Sequence, residues 1–163
     1  MDLDHYDKEI LQFLRRDSQQ TLKELEKTVK LKVSTLHNRI KRLEQAGLIK
    51  GYMAIVDYDK LNYPLVAYIM IGFDKTDTNS DQIQMAEKIK DLERIEEVHI
   101  IAGEFDILLK VRAKNIEDLG VFVTKQLKEI EGVGGSRTFV SLKTVKEYYD
   151  EPYLTDLIAN TEE

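Results

Sequence analysis

Apolar residues recur three and four positions apart through the first third of the chain, and two apart or in unbroken runs through the rest. That change of period predicts a helical unit followed by a mixed unit of strands and helices. Leu3, Ile10, Leu11 and Leu14, with Tyr6 beside them, share one helical face, and Asp4 is placed to cap that helix. The stretch Arg16-Asp17-Ser18-Gln19-Gln20 interrupts the pattern. Thr21 and Glu24 then have the spacing of a capping box, so a second helix is expected from about Leu22, with Leu22, Leu25 and Val29 inward. A short turn around Lys30 to Val33 leads into a third helix whose apolar positions are Leu36, Ile40 and Leu43, stopped by Gly47.

Beyond Gly51 the period shortens. Met53 and Ile55 alternate against Ala54 and Val56, which reads as a linker strand, and Leu61-Asn62-Tyr63-Pro64 reads as a turn. Leu65 to Phe73 is apolar without alternation, as in a strand covered on both faces. Ser80 to Leu92 has helical spacing (Ile83, Ala86, Ile89). Val98 to Ala102 is a strand, Gly103-Glu104-Phe105 a tight turn, and Asp106 to Arg112 a second strand with Ile107, Leu109 and Val111 alternating, so the two form a hairpin. Asn115 caps a helix bearing Ile116, Leu119, Val123, Leu127 and Ile130; Gly132 to Gly135 breaks the pattern, and Ser136 to Lys146 is the last strand.

Three helices with a short second turn are a helix-turn-helix arrangement, and the order strand, helix, strand, strand, helix, strand is the split βαβ of ferredoxin-like folds. The expected class is therefore α+β. Residues 1–51 form a helix-turn-helix domain, 52–63 a linker strand and turn, 64–146 a ferredoxin-like βαββαβ domain, and 147–163 a tail. Helices cover one face of such a sheet, and the other is left to form a homodimer.

Composition narrows the function. The 163 residues are 42% hydrophobic and include no cysteine, which removes disulfides, thiolate catalysis and thiolate zinc sites. Leu65 to Phe73, the longest apolar run, is far too short to span a bilayer, and the acidic opening Met1-Asp2-Leu3-Asp4 is no signal peptide, so no membrane partner and a cytoplasmic protein are expected. The net charge of −6 hides an asymmetry: residues 1–50 hold 11 Lys/Arg against 8 Asp/Glu, and residues 51–163 hold 13 against 22. The first unit can approach a polyanion that the second would repel.

The third helix carries the chemistry. At about 100° per residue, burying Leu36, Ile40 and Leu43 turns Ser34, Asn38, Lys41 and Gln45 outward, flanked by Thr35, His37, Arg39 and Arg42. Asn can pair bidentately with adenine, Ser and Thr can bond base edges or phosphate, and Lys and Arg neutralise phosphates, so the face suits double-stranded DNA. By pattern alone it equally suits a protein-binding module with a solvated helix face. No enzyme is indicated. His5, His37 and His99 fall in different elements without a metal-ligand spacing, and Gly134-Gly135 lacks the strand-to-helix context of a phosphate loop. The segment Tyr148-Tyr149-Asp150-Glu151-Pro152-Tyr153 reads as an oligomer contact or a loose tail.

The run Asp4-x-x-Asp7-x-x-Ile10-Leu11-x-x-Leu14, then Leu25, then Ser34-Thr35-x-x-x-Arg39-Ile40-x-x-Leu43-Glu44-x-x-Gly47-x-Ile49-x-Gly51-Tyr52, resembles the Lrp/AsnC, or feast/famine, transcriptional regulators. In that family this segment is the DNA-binding head, and its third helix reads the operator. Lys30 stands where the family usually has Gly, Lys32 where it has a capping Ser, Glu26 where it has Ala, and Gln20 near a familiar Arg. A side chain in a left-handed turn costs stability, and Ser34 is expected to cap in place of Lys32.

Gly103-Glu104-Phe105-Asp106-Ile107 and Gly132-Val133 with Ser136, Thr138, Leu142 and Val145-Lys146 resemble the second domain of the same family, extending the likeness over residues 3–146. The resemblance implies an amino-acid effector bound between dimers at Gly103, Phe105, Asp106, Ser136 and Thr138; the residues themselves call for no cofactor and no metal, and assembly of the homodimer into a tetramer or octamer is left open. Hairpin or glycine-turn N–H groups can hold a carboxylate and Asp106 an α-ammonium; these residues also suit a purely structural hairpin, with Asp106 capping the strand turn. Arg137 on that strand could favour an acidic effector, but reads rather as solvated surface. The expectation is an effector-responsive transcriptional regulator; the alternative is an oligomeric small-molecule sensor or adaptor without DNA activity.

Overall fold

The computed structural model describes residues 2–74 and 81–147. The chain divides into two compact units, a helical head up to Ile55, with which Lys146 and Glu147 are grouped, and a sheet unit over Val56–Val145. In the head, α1 (His5–Arg16) opens on a capping box: the Asp4 carboxylate accepts from the Asp7 N–H, and the Asp7 carboxylate accepts in return from the Asp4 N–H. The second helix, α2 (Leu22–Val29), starts on the expected box of Thr21 and Glu24 and ends at Lys30, which adopts the left-handed conformation at φ 58° and ψ 32°. The third, α3 (Val33–Gln45), ends before Gly47 at φ 72°. Ser34 lies inside this helix rather than capping it. Lys32 is the extended residue that precedes the first helical one, and its side chain makes no capping bond. Ile10, Leu25, Val29, Leu36 and Leu43 are buried together as the head's core.

In the second unit, four antiparallel strands lie in the order β2-β3-β1-β4: β1 (Leu65–Phe73), β2 (Ile95–Ile100), β3 (Ile107–Ala113) and β4 (Val133–Val140). Registers such as Ile69 with Leu109 and Ile71 with Ile107 place Ala67, Ile69, Ile71, Ile107, Leu109 and Val111 in one fully buried layer. Met85 and Ile89 of α4 (Gln82–Lys90) and Leu119 and Phe122 of α5 (Ile116–Lys125) cover it. On the opposite face of β1, Val66 is buried, Met70 half-buried and Tyr68 exposed, so the expected double covering is incomplete within one chain.

Several expected boundaries move, each because of a tertiary partner. The strand expected from Val98 starts at Ile95: Glu96 looks like solvent-facing sequence, but its carboxylate is held by Arg112 at 2.8 Å and Lys110 at 3.1 Å. The helix expected to reach Ile130 ends at Lys125 and tightens into a 3-10 turn over Leu127–Glu129; Ile116 is exposed at its start. The last strand runs from Val133 to Val140 rather than from Ser136 to Lys146. It starts early because Gly134 has no Cβ: one placed there would lie 2.9 Å from the Gly72 carbonyl oxygen. It stops early because β1 begins at Leu65; Val140 faces Ala67, the Ser141 N–H donates to the Val66 carbonyl, and Leu142 and Val145 project fully or nearly fully exposed. The linker strand expected over 52–57 does not form. Among the described residues nothing pairs with its backbone, as a strand requires, and Tyr52, Met53, Ile55 and Val56 are exposed. Ser80 and the tyrosine-rich segment from Tyr148 lie outside the described residues.

Candidate nucleic-acid interface and effector site

Ser34, Thr35, His37, Asn38, Lys41, Arg42 and Gln45 are all exposed on α3, while Leu36 and Leu43 are fully buried beneath them. Burying those leucines against α1 and α2 is what fixes the rotation of the helix, so the outward set follows from core packing. Thr35, Asn38, Arg39 and Arg42 line a shallow groove on this surface.

The two arginines are not simply solvated. Asp7 of α1 is 0% exposed, and its carboxylate accepts from Arg39 Nη1 at 2.7 Å through Oδ1 and from Arg42 Nη2 through Oδ2. Arg39 also reaches Asp4 at 2.7 Å and lies over the Tyr6 ring at 5.5 Å. Burial acts to raise the Asp4 carboxyl, but the Asp7 N–H and the Arg39 guanidinium outweigh it and hold it below the usual carboxylate range. Burial likewise opposes the charge on Arg39, and its bonds to Asp7 and Asp4 prevail, raising it. A buried carboxylate without such partners would be strongly destabilising, so Asp7 and the arginines tie α1 to α3. Sequence reasoning missed Asp7 in this role. The signal was present: Leu3, Asp7, Ile10, Leu11 and Leu14 share helical spacing, and a charge on an apolar stripe calls for a buried partner. At the far end of α3, Glu44 accepts from the Tyr52 hydroxyl at 2.9 Å; partial burial first, and then this bond, push the tyrosine pKa up to about 12.

Of the five residues nominated for an effector, Asp106 and Ser136 lie beside the end of β1, and Thr138 faces its middle. The Asp106 N–H donates to the Ile71 carbonyl, and Ile71 faces Ser136 across the ladder; Thr138 faces Ile69. Phe105 lies under the Arg137 guanidinium at 5.2 Å, and Arg137 approaches Glu104 at 3.6 Å, so Arg137 is less freely solvated than expected. Gly103 sits in the connecting loop at φ 153°, with open space where a Cβ would be. The set divides between faces: Ser136 and Thr138 share the register of the helix-covered layer, whereas Arg137, beside Phe105, shares that of Met70 on the open face. Asp106 is engaged within the chain, accepting from the Phe73 N–H at 2.7 Å and from the Gln82 side-chain amide. Gln82, the first residue of α4, was not legible as part of this site, because only the fold brings it to the hairpin. A separate groove of about 570 Å³ runs between α4 and β2, lined by residues that include Glu87, Lys90, Glu97 and His99. Among the described residues no cluster of His, Asp and Glu could hold a metal ion, and no helix is long and apolar enough to cross a membrane.

Comparison with known proteins follows the same division. Residues 3–50 match the family described as winged helix-turn-helix DNA-binding, and residues 66–150 the Lrp/AsnC ligand binding domain. An HTH-type transcriptional regulator of Pyrococcus abyssi is 43% identical over 145 residues, covering 89% of this chain and 96% of its own. The HTH-type transcriptional regulator FL11 of Pyrococcus furiosus is 37% identical over 150 residues, covering 92% and 96%. Among solved structures, a transcriptional regulator of Neisseria meningitidis in complex with L-Met superposes with a TM-score of 0.86 at 28% identity, covering 96% of this chain and 99% of that one. AsnC of E. coli, at 23% identity and a TM-score of 0.81 over 90% and 97% of the two chains, shares the fold.

Proposed function

This chain belongs to the Lrp/AsnC family of helix-turn-helix transcriptional regulators, and from that premise we propose that it reads double-stranded DNA with the outward face of α3 and answers to an amino-acid effector. The observation that carries the DNA reading is the exposed row Ser34, Asn38, Lys41 and Gln45 directly over the buried Leu36 and Leu43. Asn38 supplies base discrimination, Ser34, Thr35, His37 and Gln45 further polar contacts, and Lys41 phosphate neutralisation. Arg39 and Arg42 belong to the same surface, with Asp7 as their partner. Asn38→Ala is expected to cost about 1–3 kcal/mol of discrimination between operator and random duplex, measured by competition footprinting. An unchanged footprint and affinity would remove α3 from the interface.

The effector proposal rests on the hairpin around Gly103, Phe105 and Asp106 beside Ser136 and Thr138, and is supported by the Neisseria meningitidis relative's complex with L-Met. Asp106 has spent two acceptor positions on Phe73 and Gln82; a carboxylate offers about four, which leaves room for an α-ammonium. The chain is a regulator rather than an enzyme, acts in the cytoplasm without a cofactor, and dimerises through the open face of the sheet, where Tyr68, Met70 and Phe139 lie. Dimers that assemble further would place the two-faced effector residues between them. A thermal-shift screen of the full chain against the twenty amino acids, L-methionine included, tests this: the true effector stabilises by about 2.7 kcal/mol at one hundred times its dissociation constant. No stabilisation by any of them contradicts the effector reading and leaves the DNA reading standing.

A further inference from the structure

Asp7 has no place in DNA contact itself, being fully buried, yet it accepts from two side chains of the reading surface. We propose that Asp7 is a specificity-determining residue that retains Arg42 as an internal counter-ion while the head is on DNA, keeping this arginine from neutralising a phosphate and so limiting sequence-independent affinity. The inference rests on the reading that α3 docks on DNA.

Three observations carry it. Arg42 is 51% exposed and shares the groove with Thr35 and Asn38, so its guanidinium lies within the surface DNA would meet, but its Nη2 is bonded to Asp7 Oδ2. Moving it to a phosphate would leave the buried Asp7 with Arg39 as its one charged partner and its Oδ2 with only the Asp4 N–H at 3.3 Å, and giving up one of two guanidinium bonds to a buried carboxylate costs more than one solvent-screened phosphate contact returns. Arg39 is doubly held, by Asp7 and by Asp4, so it remains fixed when either carboxylate is lost. Asp7 therefore governs Arg42 alone. In effect the carboxylate replaces a phosphate as the partner of Arg42, and the cost falls on non-specific binding, because phosphate contacts carry no sequence information.

The test is the salt dependence of binding by the full chain to a random-sequence duplex and to a selected operator. Wild type and Arg42→Ala are expected to share one slope of log affinity against log salt, since Arg42 is neutralised from within. Asp7→Asn is expected to be steeper by about 0.9, one added phosphate, so that its gain over wild type shrinks about three- to fourfold between 50 and 200 mM salt. Asp7→Asn with Arg42→Ala should return to the wild-type slope. Asp4→Asn makes the same change of net charge without freeing Arg42, and should leave the slope alone. The operator-to-random affinity ratio should fall in Asp7→Asn only. A flatter slope for Arg42→Ala, no change in Asp7→Asn, or an equal steepening in Asp4→Asn would each overturn the proposal. If circular dichroism shows Asp7→Asn unfolded, Arg42→Ala decides by itself. Asn38→Ala serves as the separate control: loss of its effect on the operator indicts the docking of α3, not the role of Asp7.

Discussion

Lys30 closes α2 at φ 58°, where a Cβ crowds the following carbonyl oxygen. Lys30→Gly removes that crowding and is expected to stabilise the protein by about 0.5–1 kcal/mol, net of the freedom glycine gains when unfolded, as read by urea unfolding. The opposite holds at Gly134. An added Cβ would meet the Gly72 carbonyl oxygen at 2.9 Å and the Asp74 nitrogen at 3.4 Å, both of them backbone that cannot turn aside, whereas Gly135 has nothing within 4 Å. Gly134→Ala should cost about 1–3 kcal/mol and Gly135→Ala much less; equal effects would show that β1 and β4 are not so closely fitted. The strain at Lys30 was expected only from the resemblance, since the family usually has Gly at that place, and the left-handed conformation is there. The sequence did not disclose the requirement at Gly134, since that depends on the Gly72 carbonyl far away in the chain. Asp7 falls between the two: its place on an apolar stripe was visible, its arginine partners only in three dimensions.

Helix starts were legible because they are local. Thr21 and Glu24 form the box their spacing predicted, with the Thr21 N–H donating to Glu24 at 2.7 Å, and Asn115 caps α5 by accepting from the Asp118 N–H at 2.8 Å. Thr21→Ala is expected to lose about 1 kcal/mol. Bonding of Glu24 to the Thr21 N–H and then its hydroxyl holds that carboxyl below its ordinary range, as the bonds to Asp7 and Arg39 hold Asp4. Carboxyls depressed in the folded state stabilise it above their unfolded values and lose that contribution as pH falls through the folded ones. Acid titration followed by helix circular dichroism should therefore show the head weakening as the pH drops below the ordinary carboxylate range, and Glu24→Gln should remove part of that dependence. A wild-type profile flat to acid would contradict it. Strand limits were less legible for the same physical reason that helix starts were more so: β4 stops where β1 begins, and β2 extends through Glu96 because Arg112 and Lys110 await it.

For the whole molecule, the change of hydrophobic period predicted two units and their order, and the fold has both. The apolar run of β1 implied a second covered face; within one chain Tyr68 stays 40% exposed, with Phe139 its cross-strand neighbour. If that face closes a dimer, sedimentation of the full chain should show a dimer or larger, and Tyr68→Asp with Phe139→Asp should shift it toward monomer; a wild-type monomer at micromolar concentration would refute the interface. The claim on which everything else depends is that α3 reads DNA sequence. Selection of duplexes from a random pool by the full chain at physiological salt, followed by sequencing, tests it most directly. If α3 reads sequence, a defined sequence is enriched, and Asn38→Ala alters or abolishes that enrichment. Recovery of the pool without enrichment, or the same enriched sequence from both proteins, would contradict the claim.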